Sequence, residues 1–254
     1  MKIDFKSKKW DKEMKRLLDA NDFMKNNYYN NIEGVYKRFL QTEPKDYIYL
    51  YGCLVNGFEI VSRCYFVDGN MEKVINNTYL SAKSFLCFKE KVENNENTTF
   101  TAIKDIMSNY EYTVCKLIAI EEIDLLNENL DDSIMKNLFY GDEKVARELI
   151  DKIPEGGDNL VSVYYNDTIF LKNIYNSILE RDDKKFHNYI IQRIKKYRKN
   201  MVGYSTIIDY TSIALFKIAK KYGINKQIDV VEIPKCFWEN IQVDTKIKNV
   251  LPID

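Results

Sequence analysis

The chain has 254 residues, 45% of them hydrophobic and 30% charged, and its 38 Lys and Arg equal its 38 Asp and Glu. Those proportions are those of a soluble globular protein long enough to bury a large core. With no net charge there is no long-range positive field to draw it to nucleic acid or to an anionic membrane, so neither is expected as a partner.

Nine glycines and four prolines are few, which suits long helices. From Lys8 to Lys25 the apolar residues Trp10, Met14, Leu17, Leu18 and Phe23 recur at roughly helical spacing. The run "NNYYNN" then predicts a break, followed by a second short helix through "NIEGVYKRFLQ". Pro44 is placed to open a third, since proline at the first helical position forfeits no hydrogen bond. That segment, "KDYIYLYGCLVNGFEIVSRCYFV", is apolar on several sides and predicts a central helix, although its aromatic and β-branched residues also admit a strand.

"DGN" at 68–70 ends it, and "MEKVINNTYLSAKSFLCFKEKV" reads as a further helix with Val74, Tyr79, Ala82, Phe85 and Leu86 inward. The polar stretch "ENNENTT", 93–99, marks a subdomain joint within a single helical domain spanning 1–254. Thr99 is the expected cap of a helix carrying Ile103, Ile106, Met107, Tyr110, Val114, Leu117 and Ile118 on one face.

After the acidic stretch "EEIDLLNENLDD", the sequence "YGDEKVARELI" at 140–150 returns in altered form as "ERDDKKFHNYI" at 180–190. Asp142 and Asp182 occupy the same place in both, where a carboxylate caps the first amides of a helix. The echo predicts two helical hairpins, with "DGNMEKVI" at 68–75 a weaker third copy. The last strong helix is "STIIDYTSIALFKIAKKYGI", with Ser205 as its expected cap and Gly223 followed by Ile224 as a glycine stop. "DVVEIPKCFWENI" then predicts a terminal segment laid over the bundle. The fold class expected is all-α: a multi-helix bundle of antiparallel hairpins, repeat-like in the C-terminal half.

Residues suited to chemistry are sparse. The one histidine, His187, lacks the Glu-x-x-His partners of a di-metal bundle, and with scattered thiols it makes no zinc site. Asp183 stands one helical turn before it, but no nucleophile motif joins them. No phosphate loop, dinucleotide turn or serine elbow occurs, and "PEGGD" at 154–158 reads as a connector. No cofactor and no enzymatic activity are expected. Cys53, Cys64, Cys87, Cys115 and Cys236 are widely spaced among apolar residues and are read as reduced thiols. A charged N-terminus without an apolar leader core and the lack of an unbroken apolar span point to the cytoplasm.

Two charged runs remain. Glu121, Glu122, Asp124, Glu128, Asp131 and Asp132 form a candidate acidic face for a basic protein partner, while 193–199 carries Arg193, Lys195, Lys196, Arg198 and Lys199. Both runs also fit solvated helix surfaces. The nineteen tyrosines can line a helical core or anchor an interface.

In the C-terminal half, "LFYGDEKVARELI", "ILERDDKKFHNYIIQRIKKYRK", "IIDYTSIALFKIAKKYGI" and "VEIPKCFW" follow one another in an order that resembles the immunity protein 49 family of bacterial polymorphic toxin systems. The resemblance implies an α-helical cytoplasmic protein that binds and neutralises a cognate protein toxin, with no catalytic residues. A helical-repeat scaffold for a host protein or peptide is the other reading.

Overall fold

The computed structural model describes residues 8–41, 43, 47–94, 100–127, 130, 132–153, 168–199, 207–225, 233, 235–238 and 242–249. It contains α1 (Lys8–Phe39), α2 (Tyr47–Val67), α3 (Met71–Glu93), α4 (Phe100–Ile120), α5 (Ile123–Leu126), α6 (Ile134–Tyr140), α7 (Glu143–Asp151), α8 (Thr168–Leu179), α9 (Asp183–Lys199) and α10 (Tyr210–Lys221), with 3-10 turns at Lys235–Trp238 and Ile247–Asn249. No strand occurs among the described residues, so the expected all-α bundle is what forms. Buried apolar side chains from Leu17 in α1 to Val243 in the tail make one contiguous core.

The break expected at "NNYYNN" does not form. α1 runs unbroken for 32 residues, because Ile32, Val35 and Phe39 continue the buried face begun by Leu17 and Asn21. Four asparagines weaken helix propensity, but none removes a backbone donor, and packing outweighs the deficit. Tyr29 also donates to, or accepts from, Tyr65 Oη at 2.6 Å on α2. α1 approaches α2 closely at Gly57, where a Cβ would stand 2.9 Å from Ile32 Cγ1.

α2, the segment that also admitted a strand, is helical and buries Leu50, Tyr51, Leu54, Phe58, Val61 and Cys64. Its length and near-continuous apolarity place it between α1 and α3. Pro44, Thr99, the linker residues 95–99, "PEGGD", Pro234 and the side chains of Trp10, Met14, Ile103, Ile106, Met107 and Cys236 lie outside what is described.

Four helix pairs share one corner. At Gly69 (φ 75°), Glu121 (φ 58°), Gly141 (φ 80°) and Arg181 (φ 54°) the chain turns through the left-handed region. In each, the next residue's N–H reaches back across the last turn: Asn70 to Tyr65 O, Glu122 to Leu117 O, Asp142 to Asn137 O and Asp182 to Ser177 O, at 2.9 to 3.1 Å. This is the paired-bond glycine stop, and the residue after it starts the next helix. Asn70, Asp142 and Asp182 accept the N–H of Lys73, Val145 and Lys185 respectively. The weaker third copy at 68–75 therefore makes the same hairpin corner as the two stronger ones, with Asn70 rather than Asp68 as its cap.

α10 begins later than Ser205, a residue outside those described. Asp209 is the cap, accepting the Ser212 N–H at 3.0 Å. Both residues are capping types, and Asp209 is the one that Arg193 of α9 holds in a buried ion pair. Gly223 (φ 85°) and buried Ile224 end the helix as expected. Phe237 and Trp238 lie over it, in edge-on contact with Tyr210 and Phe216 at 5.8 and 6.1 Å.

Candidate functional site

The densest polar arrangement lies inside the bundle, where periodicity assigned only packing. Glu59 and Arg63 are one turn apart on α2, and Lys116 on α4 reaches the same carboxylate, so Glu59 pairs with both cations. Arg63 also donates to Tyr112 Oη at 2.8 Å, and Lys116 to Ser81 Oγ at 3.1 Å. Arg63 is 1% and Lys116 2% exposed. Burial works first against the charge of Glu59, but Arg63 and Lys116 outweigh it and hold the carboxyl below the usual carboxylate range. Beside this group Tyr210 Oη hydrogen-bonds the hydroxyls of Thr78 at 2.7 Å and Ser62 at 3.3 Å.

A second buried pair joins α9 to α10: Arg193 pairs with Asp209 and donates to Ser212 Oγ at 2.6 Å. A third polar contact joins α4 to α6, where Glu111 accepts from Ser133 Oγ at 2.8 Å and from the Ile134 N–H at 2.9 Å. Burial pushes the Glu111 carboxyl up to about 7, against those hydrogen bonds, which pull it down. Glu111 thus supplements Ser133 at the N-terminus of α6 from another helix.

The Lys116–Ser81 contact has the outline of a nucleophile and base, but Ser81 is fully buried, donates to Val55 O and faces a lysine committed to Glu59. That geometry binds helices together and offers no route for a substrate. Among the described residues no group of three or more His, Cys, Asp or Glu side chains is arranged to hold a metal ion. His187 is half-buried on α9, with no partner at Nδ1. Cys53, Cys64, Cys87 and Cys115 are free thiols, and burial pushes the Cys64 thiol up to about 12, far from a reactive thiolate.

The acidic run divides. Glu121, Asp124 and Asp132 are exposed. Glu122 is 8% exposed and pairs with Lys248 of the tail at 2.9 Å, so it anchors the chain's own C-terminal segment and does not belong to an outward face. Glu121 bonds Lys217 of α10 at 2.6 Å while remaining open to solvent. Glu128 and Asp131 lie outside the described residues. The basic run divides likewise: Lys195 and Lys196 face outward, Arg193 is internal, and the side chains of Arg198 and Lys199 are not among those described.

Sequence reading missed the internal cluster because apolar periodicity assigns these helices to packing and is silent on the charges within them. A signal did exist: Glu59 and Arg63 stand four apart within the most apolar segment, where a charge persists only if paired. Its third member, Lys116, sits beside Leu117 and Ile118 in the same way.

These features define an all-α hairpin protein whose interior ion pairs lock its helices. Compared with family models, curated proteins and solved structures, the chain matches none. No described helix is long and apolar enough to cross a membrane.

Proposed function

We propose that this protein is an immunity protein, an antitoxin that binds a cognate bacterial toxin in the cytoplasm and neutralises it without catalysis. One observation carries the reading: the described groups Glu59, Lys116, Ser81 and Asp209 are turned inward and committed to one another, to buried arginines or to the backbone. What remains for function is recognition by the exterior, as in the family that the C-terminal half resembles. Exposed Asp124 and Asp132, with Glu121, supply carboxylates for a basic partner. Nucleic acid is not a partner in this reading, since the charges balance.

Co-expression with the toxin encoded immediately upstream tests it. Growth rescue and co-elution of the pair are expected; failure of both with that neighbour would remove the reading. Asp124→Lys and Asp132→Lys should slow association and flatten its salt dependence, whereas Glu122→Lys should instead loosen the tail.

The repeated corner at Asn70, Asp142 and Asp182 favours a second reading, a helical scaffold for a host protein or peptide. A pull-down from the native host, with the bound protein identified by mass, separates the two.

A further inference from the structure

The ionic cluster of α2 and α4 is unbalanced. Two cations, Arg63 and Lys116, share one carboxylate, Glu59, and both are almost wholly buried. A guanidinium has five N–H donors, and Arg63 uses only Nη2, toward Glu59 and Tyr112. No acceptor among the described residues reaches its Nε or Nη1. Burying a charged donor without an acceptor costs more than leaving a neutral group unpaired, and interior guanidiniums are ordinarily satisfied on every side.

We propose that the unpaired Nε and Nη1 of Arg63 form a binding site for one small monovalent anion in the interior of the bundle. Two features fix the chemistry. The excess is a single positive charge, which a monovalent anion balances and a polyanion would reverse. The open groups are all donors, so the ligand presents acceptors only, as a halide or a small carboxylate does. Tyr112 Oη accepts from Nη2 at 2.8 Å and leaves Nε and Nη1 open. Glu59, 17% exposed at its side chain, is the least buried of the three charged groups.

Loss of the Lys116 proton would balance the charge by another route. Its ammonium is disfavoured, first by burial and further by Arg63, although Glu59 opposes this. A neutral Lys116 would still leave the Arg63 donors without acceptors, whereas an anion answers both deficits. The site is independent of the toxin-binding reading and stands or falls separately.

Thermal unfolding of the full chain in sodium bromide and in sodium acetate, against bulky gluconate at equal ionic strength, reads the site. A bromide or acetate concentration about a hundredfold above Kd should raise Tm by roughly 5–10 °C, the rise following the logarithm of the anion concentration. Arg63→Met, which keeps the stem and removes the donors, should lose the rise. An equal rise in Arg63→Met, or an equal rise of the wild type in gluconate at the same ionic strength, would overturn the proposal. Should that variant fail to fold, wild-type crystals soaked in bromide decide it. An anomalous peak in contact with Arg63 Nε or Nη1 supports the site, and water alone at both nitrogens refutes it.

Discussion

The hairpin α2–α3 and the hairpins α6–α7 and α8–α9 turn the same corner but are held in different ways. α2 and α3 are long, and the contacts that fasten them are deep: Ser62 and Thr78 meet under Tyr210, and Ser81 of α3 donates to Val55 of α2. α7 has only nine residues and α6 seven. Their hairpin relies more on its turn, where the glycine stop and the Asp142 cap satisfy amides that short helices leave open. Long helices can bury charge because their packing area supports it; short ones concentrate stability in the corner.

The contrast within the short pair is sharper. Gly141 and Arg181 occupy equivalent positions with φ near +80° and +54°. Glycine takes that backbone without a steric penalty, whereas arginine incurs roughly 1 kcal/mol. Arg181 offsets it by reaching back to the first hairpin, bonding Glu143 at 2.8 Å and lying 5.6 Å from the Tyr222 ring centroid. One hairpin stops on a permissive residue and the other on a cross-link.

The largest effect should come from the deep contacts. Glu59→Ala leaves Arg63 and Lys116 buried without their carboxylate and should cost about 3–5 kcal/mol, measured by urea unfolding; a loss below 1 kcal/mol would mean that the cluster is not sealed. Next is the seam between the two regions. The folded pKa of Glu111, about 7, exceeds its ordinary value of 4.5, so the native state favours the protonated form. Its contribution to stability is fully present below pH 4.5 and is lost as pH rises through 7. Tm of wild type relative to Glu111→Gln should therefore fall between pH 5 and 8, and parallel curves would place the carboxyl in ordinary solvent.

The turns should give smaller effects. Gly141→Ala forces a Cβ into the left-handed region and should cost about 1–2 kcal/mol, whereas Arg181→Ala, already in that region, should cost less than about 1 kcal/mol. Equal losses in denaturant midpoint would erase the distinction. Last come the caps: Asp182 accepts two amides at 2.9 and 3.1 Å, Asp142 one at 3.3 Å. Asp182→Ala should lower Tm more than Asp142→Ala does, and a reversed order in Tm would show that hydrogen-bond geometry does not rank them.

Much of this was legible in advance. Steps of three and four marked α4 and α10, the Asp-centred echo marked two hairpins, and Gly223–Ile224 marked a stop. Local pattern failed at 26–31, where tertiary packing carried a helix through four asparagines, and at Ser205, where an ion pair from another helix selected Asp209 as the cap. The candidate acidic face was only partly legible, because adjacent carboxylates face opposite ways: Glu122 inward to Lys248, Asp124 outward.

The sequence by itself determined the helical class and the caps Asp142 and Asp182 of two of the repeated corners, because periodicity and side-chain capping act within a few residues. The tertiary structure alone decided which charges are interior and who pairs with whom. Glu59 and Lys116 stand 57 positions apart, and the free energy of a buried charge is set by neighbours that only the packing of α2 and α4 on α3 supplies.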